Sequence, residues 1–262
     1  MKLPIYQLDA FTDKLFAGNP AAVVPLESWL PDFVMQQIAA ENNLAETAFF
    51  VPTETGFHIR WFTPSTEVDL CGHATLAAAY VLFKIHNYDQ PEVAFDSRSG
   101  ILKVSLENDW FTLDFPVDHY QVAVPPPALH ESMMTVVPVE VFKGKTDYLV
   151  VLESETEVRE LDPDIIVLST VPARGIIVTA PGDEVDFVSR FFAPQSGIDE
   201  DPVTGSAHTT LVPYWAKRLE KTQLTALQVS KRGGYLRCKL SDDRVCISGQ
   251  VRLFMVGEIE TD

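Results

Sequence analysis

Short runs of alternating hydrophobic and polar residues make up most of the chain, and two longer runs interrupt them. The first longer run spans residues 72–85, and residues 70–83 include no charged side chain. A helix without a charged face belongs in the middle of a domain, so this pattern predicts a buried helix. The second longer run, residues 205–219, predicts a matching helix later in the chain.

The alternating runs predict strands, with turns at Gly, Pro, Asn and Asp residues. In the first part of the chain the predicted strands span 5–11, 21–24, 46–51, 58–62, 93–95, 101–106 and 110–115. In the second part they span 136–142, 148–152, 175–179, 187–192, 229–230, 235–240, 245–248 and 249–256. Further helices are predicted at 31–42 and 162–168. Both parts follow the order helix, strand, strand, buried helix, strands.

Two motifs recur in the same order in both parts. Residues 60–64 (RWFTP) match residues 190–194 (RFFAP) at an offset of 190 − 60 = 130. Residues 72–74 (GHA) match residues 205–207 (GSA) at an offset of 205 − 72 = 133. Two matched anchors in one order favour an internal duplication. The sequence therefore predicts an α+β fold of two pseudo-symmetric halves, each a curved, mostly antiparallel or mixed sheet wrapped around one central apolar helix.

A proline-rich segment at residues 116–127 is the best candidate for the boundary between the halves, because it has little periodicity. The chain of 262 residues has room for two halves of about 130 residues, a size that supports a separate core. We therefore place the first half at residues 1–117 and the second half at residues 118–249.

The net charge of the chain disfavours some classes of partner. Lys and Arg number 20 and Asp and Glu number 37, which gives 20 − 37 = −17. Nucleic acids and anionic membranes need a basic face on the protein, so neither is expected as a partner. A small anionic substrate is compatible with this charge, because backbone dipoles in a pocket can bind an anion.

Three cysteines, an odd number without metal-binding spacing, suit a reducing cytosol. The N-terminal segment lacks the apolar core of a signal peptide. The longest uncharged run is shorter than the roughly 18 residues that a membrane span needs. We therefore expect a soluble cytoplasmic protein.

Gly72 and Gly205 stand at the starts of the two predicted buried helices. A helix start has free backbone N–H groups and a partial positive charge, and both attract anions. If the two halves face each other, both starts point into the cleft between them and can hold a carboxylate, or an enolate that forms beside it. For one glycine alone a tight turn is the simpler interpretation, and the occurrence of two favours a site.

Glu46 is the candidate acid/base residue. It is the only acid between Glu41 and Glu54, and it begins a strand of apolar and small residues. Partial burial would make this carboxylate a usable general base near neutral pH. A solvated glutamate at the start of a strand is equally consistent with the sequence.

Three further polar residues lie near these glycines. His73 could hydrogen-bond a substrate or hold the glutamate, although a lone histidine is more often structural. Asp201 could orient a substrate or cap the second helix. Ser206 has no hydrolase-like spacing to His and Asp, and the G-x-S-x-G elbow is absent. Walker, dinucleotide-binding and zinc-binding patterns are also absent, so we expect no metal and no cofactor.

Motifs spread over most of the chain resemble those of the PhzF family, phenazine-biosynthesis-like isomerases built on the diaminopimelate epimerase fold. The matching segments are residues 9–12 (DAFT), 18–23 (GNPAAV), 43–49 (NLAETAF), 62–64 (FTP), 69–76 (DLCGHATL), 190–194 (RFFAP) and 201–208 (DPVTGSAH). The resemblance implies two halves with the site between them. It also implies a last strand, here within residues 250–262, that completes the first half, and it is compatible with a homodimer.

The resemblance implies that Glu46 is the catalytic acid/base. Family members with a known reaction move a proton on a cyclic dienoic amino acid. For substrate binding the resemblance implies Asn19, Gly72, His73, Asp201, Gly205 and Ser206, with the two glycines supplying backbone donors.

The repeat distinguishes an isomerase from an epimerase. Epimerases of this fold use two thiols, one at each helix start, but Cys71 corresponds to Thr204 (71 + 133 = 204). Glu46 corresponds to Ile176 (46 + 130 = 176), so the acid has no acidic counterpart. One base that removes and returns a proton on the same face gives an isomerisation, and we expect an isomerase that acts on a small carboxylate. The alternatives are an amino-acid racemase or epimerase that uses Cys71, and a non-catalytic protein that binds a small acid.

Overall fold

The computed structural model describes residues 1–133 and 136–261. The chain divides into two compact units. The first unit comprises Met1–Asp114 and the C-terminal residues from Ser248 onward, and the second unit comprises Phe115–Ile247. The first unit is therefore built from two separate stretches of the chain, whereas the second is one continuous stretch.

The elements up to residue 116 are, in order, β1 (Lys2–Ala10), β2 (Asn19–Pro25), α1 (Asp32–Asn42), β3 (Glu46–Pro52), β4 (Phe57–Phe62), β5 (Glu67–Val68), α2 (Gly72–Tyr80), β6 (Glu92–Asp96), β7 (Leu102–Glu107) and β8 (Trp110–Pro116). The elements after residue 116 are β9 (Gln121–Val122), α3 (Pro127–Ser132), β10 (Glu140–Lys143), β11 (Tyr148–Val151), α4 (Glu155–Glu160), α5 (Ile165–Leu168), β12 (Ile176–Pro181), β13 (Phe187–Ala193), β14 (Ile198–Asp201), α6 (His208–Leu219), β15 (Gln223–Gln228), β16 (Gly234–Ser241), β17 (Arg244–Gly249) and β18 (Val251–Glu260).

The first unit contains a mixed sheet. β1 is antiparallel to both β18 and β2, and β2 is parallel to β3. β4 is antiparallel to β3 and β5 and parallel to β6, and β6 to β8 continue as an antiparallel meander. Helix α1 covers one face, where Met35 and Ile38 pack with Phe49 and Phe62. Met35, Ile38 and Ala39 of α1 are therefore buried against the sheet, whereas Phe33 of the same helix is exposed.

Helix α2 lies against β1, β2 and β3. Every residue from Gly72 to Ala79 is buried, as expected for a helix without a charged face. Side chains alternate along a strand, and Phe49 belongs to the cluster under α1, so Glu46 and Ala48 project from the opposite face. The start of β3 and the start of α2 can therefore share a site. Among the described residues, no helix is both long enough and apolar enough to cross a membrane.

The second unit repeats this arrangement. β10 and β11 are antiparallel, β11 and β12 parallel, β12 and β13 antiparallel, β13 and β15 parallel, and β15 and β16 antiparallel. The same alternation links β1, β2, β3, β4, β6 and β7 in the first unit. Helix α4 lies against β12 and β13, and α6 lies against β15 and β16. The predicted α+β class and the repeated mixed sheet are confirmed.

Several predicted elements begin at other residues, and three of them show why. The strand predicted at 136–142 begins only at Glu140, because Pro138 has no N–H group to pair. The strand predicted at 229–230 lies earlier in the chain as β15, where alternate residues are buried. The helix predicted at 205–219 begins at His208, whose N–H donates to the carbonyl of Gly205 at 3.0 Å. This bond spans three residues, so a tight turn precedes α6.

Two short helices are absent from the sequence prediction. Helix α3 begins at Pro127, at the end of the predicted linker, where a proline suits the first position of a helix. Helix α4 follows Ser154, whose hydroxyl accepts the N–H of Glu157 at 3.3 Å. The helix predicted at 162–168 is limited to α5, which Asp164 caps. Helices of four to six residues are too short to give a periodic signal, and their caps define them instead.

Candidate active site

Glu46 is the first residue of β3 and lies beside Ala21 of the parallel strand β2. Its Oε2 atom is 3.1 Å from Nε2 of His73, and the two side chains are 12% and 6% exposed. Of the two environments that the sequence left open for this carboxylate, the structure has the partly buried one. A partly buried carboxylate that retains some access to solvent can exchange a proton with a ligand.

His73 lies in the first turn of α2 and contacts polar groups through both ring nitrogens. Its Nδ1 atom is 3.1 Å from the amide nitrogen of Asn19, which begins β2 and is fully buried. A neutral ring that accepts from this amide carries its proton on Nε2, and a charged ring carries protons on both nitrogens. In either form Nε2 carries a proton and lies 3.1 Å from Oε2 of Glu46.

The environment of His73 favours its protonated form. Burial opposes a charge on the ring, but the neighbouring Glu46 carboxylate favours it. Their net effect raises the pKa of His73 well above its ordinary value. A charged ring carries a proton on Nδ1 and needs an acceptor there. Rotation of the Asn19 amide by half a turn brings its oxygen to face Nδ1.

Cys71 directly precedes α2 in an extended conformation, and its side chain is buried beside the histidine. Its Sγ atom is 3.5 Å from Nδ1 of His73. Burial raises the pKa of the Cys71 thiol to about 11, and the charge of Glu46 adds to this effect. The thiol is therefore protonated at neutral pH. The hydroxyl of Thr75 donates to the Cys71 carbonyl and fixes the turn.

The start of α2 supplies backbone donors next to these side chains. The N–H groups of Gly72 and His73 have no acceptor within the helix, because they belong to its first turn. The partial positive charge of the helix dipole lies at the same end. An anion bound here would therefore lie close to Glu46 and to the imidazole.

The site residues predicted in the second unit lie in the loop between β14 and α6. The side chain of Asp201 accepts a short hydrogen bond from the hydroxyl of Thr204. Gln228 is fully buried and clamps this loop, since its Oε1 accepts the N–H of Thr204 at 2.8 Å and its Nε2 donates to the Asp201 carbonyl at 2.8 Å. The loop conformation is thus held from the neighbouring strand β15.

Ser206 lies in the same loop and contacts a cation. Its Oγ atom accepts from a terminal nitrogen of Arg174 at 3.1 Å. The guanidinium is in turn held by both oxygens of the buried Asp147. Burial opposes the charge of Arg174, but the hydrogen bond to Asp147 outweighs it and raises the pKa of Arg174. The charge of Asp201 acts in the same direction.

The predicted site residues therefore form two groups. In the first unit the structure brings together Asn19, Glu46, Gly72 and His73, with Cys71 beside them. In the second unit Asp201, Gly205 and Ser206 lie in one loop, although Gly205 is three residues before the start of α6 rather than at it.

Sequence reasoning missed Arg174 and Gln228. Arg174 belongs to no motif and joins Ser206 only through the fold. Gln228 could have been noticed as a polar residue among the inward-facing positions of a strand.

The strand pairs β3–β4 and β12–β13 show which residue corresponds to the candidate base. Thr47 lies opposite Phe62, and Ile176 lies opposite Phe192. Phe62 and Phe192 are matching residues (192 − 62 = 130), so their strand partners Thr47 and Ile176 also match. Glu46 directly precedes Thr47 and therefore matches Gly175. The predicted match of the base to Ile176 is wrong by one residue. The cause is the turn between β12 and β13, which is one residue longer than the turn between β3 and β4.

Known proteins resemble this chain over almost its whole length. The family described as phenazine biosynthesis-like protein matches residues 8–257. The chain belongs to this family. An uncharacterized isomerase of Pseudomonas aeruginosa is 51% identical over 259 residues, which cover 99% of each chain. The crystal structure of a PhzF-family phenazine biosynthesis protein from Enterococcus faecalis has a TM-score of 0.96 and 46% identity, and it covers 100% of both chains.

A more distant structure extends the fold beyond the PhzF family. A probable proline racemase from Agrobacterium radiobacter has a TM-score of 0.68 at 8% identity, with 99% of this chain and 93% of that chain covered. At that identity the likeness shows the fold alone. Together with the relatives named isomerase, the family membership makes the protein a PhzF-like isomerase.

Proposed function

We propose that this PhzF-like protein moves a proton within a small carboxylate-bearing substrate and that Glu46 is its single acid/base. The observation that carries the proposal is the close pair of Glu46 and His73 at the start of α2, with Oε2 of the carboxylate 3.1 Å from Nε2 of the imidazole. The substrate class implied by the family resemblance is a cyclic or unsaturated amino acid. The reaction needs no metal and no cofactor, because a carboxylate can both accept and return the proton.

The imidazole supports the carboxylate in this scheme. Nε2 of His73 lies 3.1 Å from Oε2 of Glu46, and the other carboxylate oxygen takes the substrate proton. Asn19 is too deeply buried to offer its side chain to a ligand, so we assign it the role of orienting His73. This role differs from the substrate contact that the resemblance implies for Asn19.

Backbone donors would stabilise the negative charge that develops as the proton leaves. The N–H groups of Gly72 and His73 at the start of α2 are suited to a substrate carboxylate or to the enolate that forms beside it. For Asp201, Gly205 and Ser206 of the second unit we propose a role in binding, as the resemblance implies. The homodimer likewise stays a prediction from the resemblance.

The two alternative functions are less well supported. A racemase would use Cys71 as a base, but burial keeps this thiol protonated at neutral pH. A two-thiol mechanism would also need a partner at the position of Thr204, which has a hydroxyl. A protein that only binds a small acid would need the backbone donors but not a glutamate held by a histidine.

Solvent-deuterium exchange tests the proposal directly. Wild type is incubated in deuterated buffer with a panel of unsaturated and cyclic amino acids, and deuterium incorporation is followed by mass spectrometry. The variant Glu46→Gln keeps the shape of the side chain but cannot accept a proton. The control Glu41→Gln makes the same change on an exposed residue of α1.

We expect wild type and Glu41→Gln to incorporate deuterium into at least one acid, and Glu46→Gln to lose this activity. Equal incorporation by all three proteins would remove Glu46 from the mechanism. If wild type binds an acid from the panel but exchanges no proton with it, the protein is a binder and the proposal is wrong.

A further inference from the structure

Three side chains of different chemical type meet at the start of α2. A carboxylate oxygen of Glu46, the Cys71 sulfur and an imidazole nitrogen of His73 all lie within 4.8 Å of one another, and Cys71 and His73 are buried. We propose that this cluster binds a thiophilic divalent cation such as Zn²⁺ through Oε2 of Glu46, Nε2 of His73 and Sγ of Cys71. This site is additional to the proposed isomerase reaction, which does not use the cation.

Two of the three separations between the donor atoms lie near those that tetrahedral zinc requires, and the third is within 4.8 Å. Zinc lies about 2.0–2.2 Å from nitrogen and oxygen ligands and about 2.3 Å from sulfur, so neighbouring ligand atoms are roughly 3.3–3.6 Å apart. Oε2 of Glu46 is 3.1 Å from Nε2 of His73, and this nitrogen is 4.0 Å from Sγ of Cys71. Small rotations of these side chains would bring the three atoms around one ion.

The charges of the three ligands suit a buried divalent cation. Zinc binds cysteine as the thiolate, so the S–H bond breaks, a Zn–S bond forms and the proton passes to the buffer. The charged imidazole likewise loses its Nε2 proton to the buffer, which frees the Nε2 lone pair for a Zn–N bond and leaves the second ring proton on Nδ1. The thiolate and the carboxylate then contribute two negative charges against the two positive charges of the ion, and the imidazole contributes a lone pair. The resulting centre is neutral, which limits the cost of burial.

The residue behind the imidazole also fits a metal ligand. A histidine that binds zinc through Nε2 usually donates its Nδ1–H group to an oxygen. In this protein Nδ1 of His73 faces the side-chain amide of Asn19, whose oxygen can face the ring after half a turn. With three protein ligands, the fourth tetrahedral position is left for water or a small ligand, as in open zinc sites.

The sequence gives no sign of this cluster, because Glu46 is 25 residues before Cys71 (71 − 46 = 25) and on another element. The cation would engage Glu46 and His73, the groups that the proposed reaction needs for proton transfer. Zinc should therefore inhibit the isomerase. Binding itself does not depend on that reaction, so the two proposals can fail separately.

Cobalt(II) is a suitable probe, because it replaces zinc in such sites and its absorption spectrum reports the ligands. The untagged full-length chain is reduced, freed of metal and titrated with Co²⁺ in the absence of oxygen. A thiolate ligand gives a charge-transfer band in the near-ultraviolet, and tetrahedral geometry gives intense bands in the visible. We expect both, with one Co²⁺ per chain, and we expect Zn²⁺ to abolish them by displacement.

Three variants test the assignment. Cys71→Ser should lose the charge-transfer band, and Glu46→Gln should weaken Co²⁺ binding by about tenfold or more. The control Cys246→Ser, at a half-buried cysteine of β17, should keep the wild-type spectrum. Circular dichroism before metal is added establishes that each variant is folded.

An unchanged spectrum in folded Cys71→Ser, or the absence of a band in wild type, would overturn the site. A band that disappears with Cys246→Ser would do the same. Because the spectra need no substrate, they stand even if the screen for proton exchange finds no reaction.

Discussion

The loops that lead into α2 and α6 share a scaffold but differ in their chemistry. Before α2, Arg60 binds both carboxylate oxygens of Glu67 and lies over the ring of Phe62 at 5.1 Å. Before α6, Arg190 binds both oxygens of Glu200 and lies over the ring of Phe192 at 4.8 Å. An arginine that pairs in this two-point geometry and stacks on an aromatic ring fixes the position of its loop.

In both helix starts a side chain donates a hydrogen bond to the carbonyl four residues earlier, although the residue that donates differs. Thr75 donates from its hydroxyl to the carbonyl of Cys71, four residues earlier. At the matching position (75 + 133 = 208) the ring of His208 donates from Nδ1 to the carbonyl of Thr204 at 2.9 Å. Each turn is thus tied to its helix by the same backbone contact.

The acid/base position itself is the clearest difference. Its counterpart Gly175 has no side chain, and a Cβ atom there would lie 2.2 Å from Cζ of Phe191. The ring of Phe191 therefore leaves no room for a side chain at this position. Duplication has therefore kept the loops and helix starts in both units, and the candidate acid/base pair in one.

The largest expected effect is on kcat, and it should distinguish a residue of the proton-transfer step from a residue that only binds the substrate. Glu46→Gln should lower kcat by about 10²–10⁴, because the variant has no proton acceptor. Asp201→Asn in the second unit should mainly raise KM, because its proposed role is binding. Steady-state kinetics on a substrate found in the exchange screen measures both. A large fall in kcat for Asp201→Asn with unchanged KM would mean that chemistry is not confined to the first unit.

A second test compares the two helix anchors by their response to acid. Burial lowers the pKa of His208 to about 4 from its ordinary 6.5, so the folded state binds this proton less readily than the unfolded state. The stability that this histidine contributes is present above pH 6.5 and is lost as the pH falls through 4. The loss between pH 7 and pH 4 should be about 3 kcal/mol, at 1.36 kcal/mol for each pKa unit.

Chemical denaturation of wild type and His208→Thr at both pH values measures this loss. The variant carries the residue found at the matching position of the first unit, which does not titrate. Its free energy of unfolding should be lower than that of wild type at pH 7 and should fall less between pH 7 and pH 4. An equal fall in both proteins would show that other groups set the acid sensitivity.

The third test places a side chain at the counterpart of the base. Gly175→Ala should lower the free energy of unfolding by about 1–3 kcal/mol, because the new methyl group overlaps the ring of Phe191. The double variant with Phe191→Leu should recover part of this loss, since leucine leaves room for the methyl group. Additive losses in the double variant would mean that the two positions do not compete for space.

The smallest effect is expected for the thiol. Cys71→Ser should keep metal-free exchange activity within about tenfold of wild type, which corresponds to about 1.4 kcal/mol. The reason is that burial keeps the thiol protonated at neutral pH and Thr204 stands at the matching position. Activity comparable to that of Glu46→Gln would instead make Cys71 a base and favour the racemase. Substituting Cys238 in the same way provides a control for loss of a buried sulfur.

The sequence predicted the parts of the fold that repeat or that have strong periodicity. The two motif pairs revealed the duplication, and the uncharged run at 72–85 revealed α2, because both signals lie within a few consecutive residues. The capped helices α3 and α4 were missed, since one or two turns carry too little pattern. The start of α6 was misplaced because a tight turn and a helix begin with the same residue types.

The candidate site was predictable in its residue types but not in its contacts. A lone acid at the start of a strand pointed to Glu46, and a histidine after a glycine pointed to His73. The contact of Asn19 with the imidazole, and that of Arg174 with Ser206, depend on strand pairings between distant residues. The match of Glu46 to Gly175 depends on the length of one turn, which a constant offset does not capture.

The strand β18 has a consequence for the synthesis of the protein. It pairs with β1 along that strand's entire length, from Lys2 opposite Glu260 to Ala10 opposite Val251. The intervening second unit contains 247 − 115 + 1 = 133 residues. At about 5–20 residues per second, a ribosome needs roughly 7–27 s to translate it. During that time β1 has left the ribosome, but its partner strand β18 has not yet been synthesised. The second unit can meanwhile fold as a continuous stretch. The unit that contains Glu46 is therefore the last to be completed, although it is the first to be synthesised.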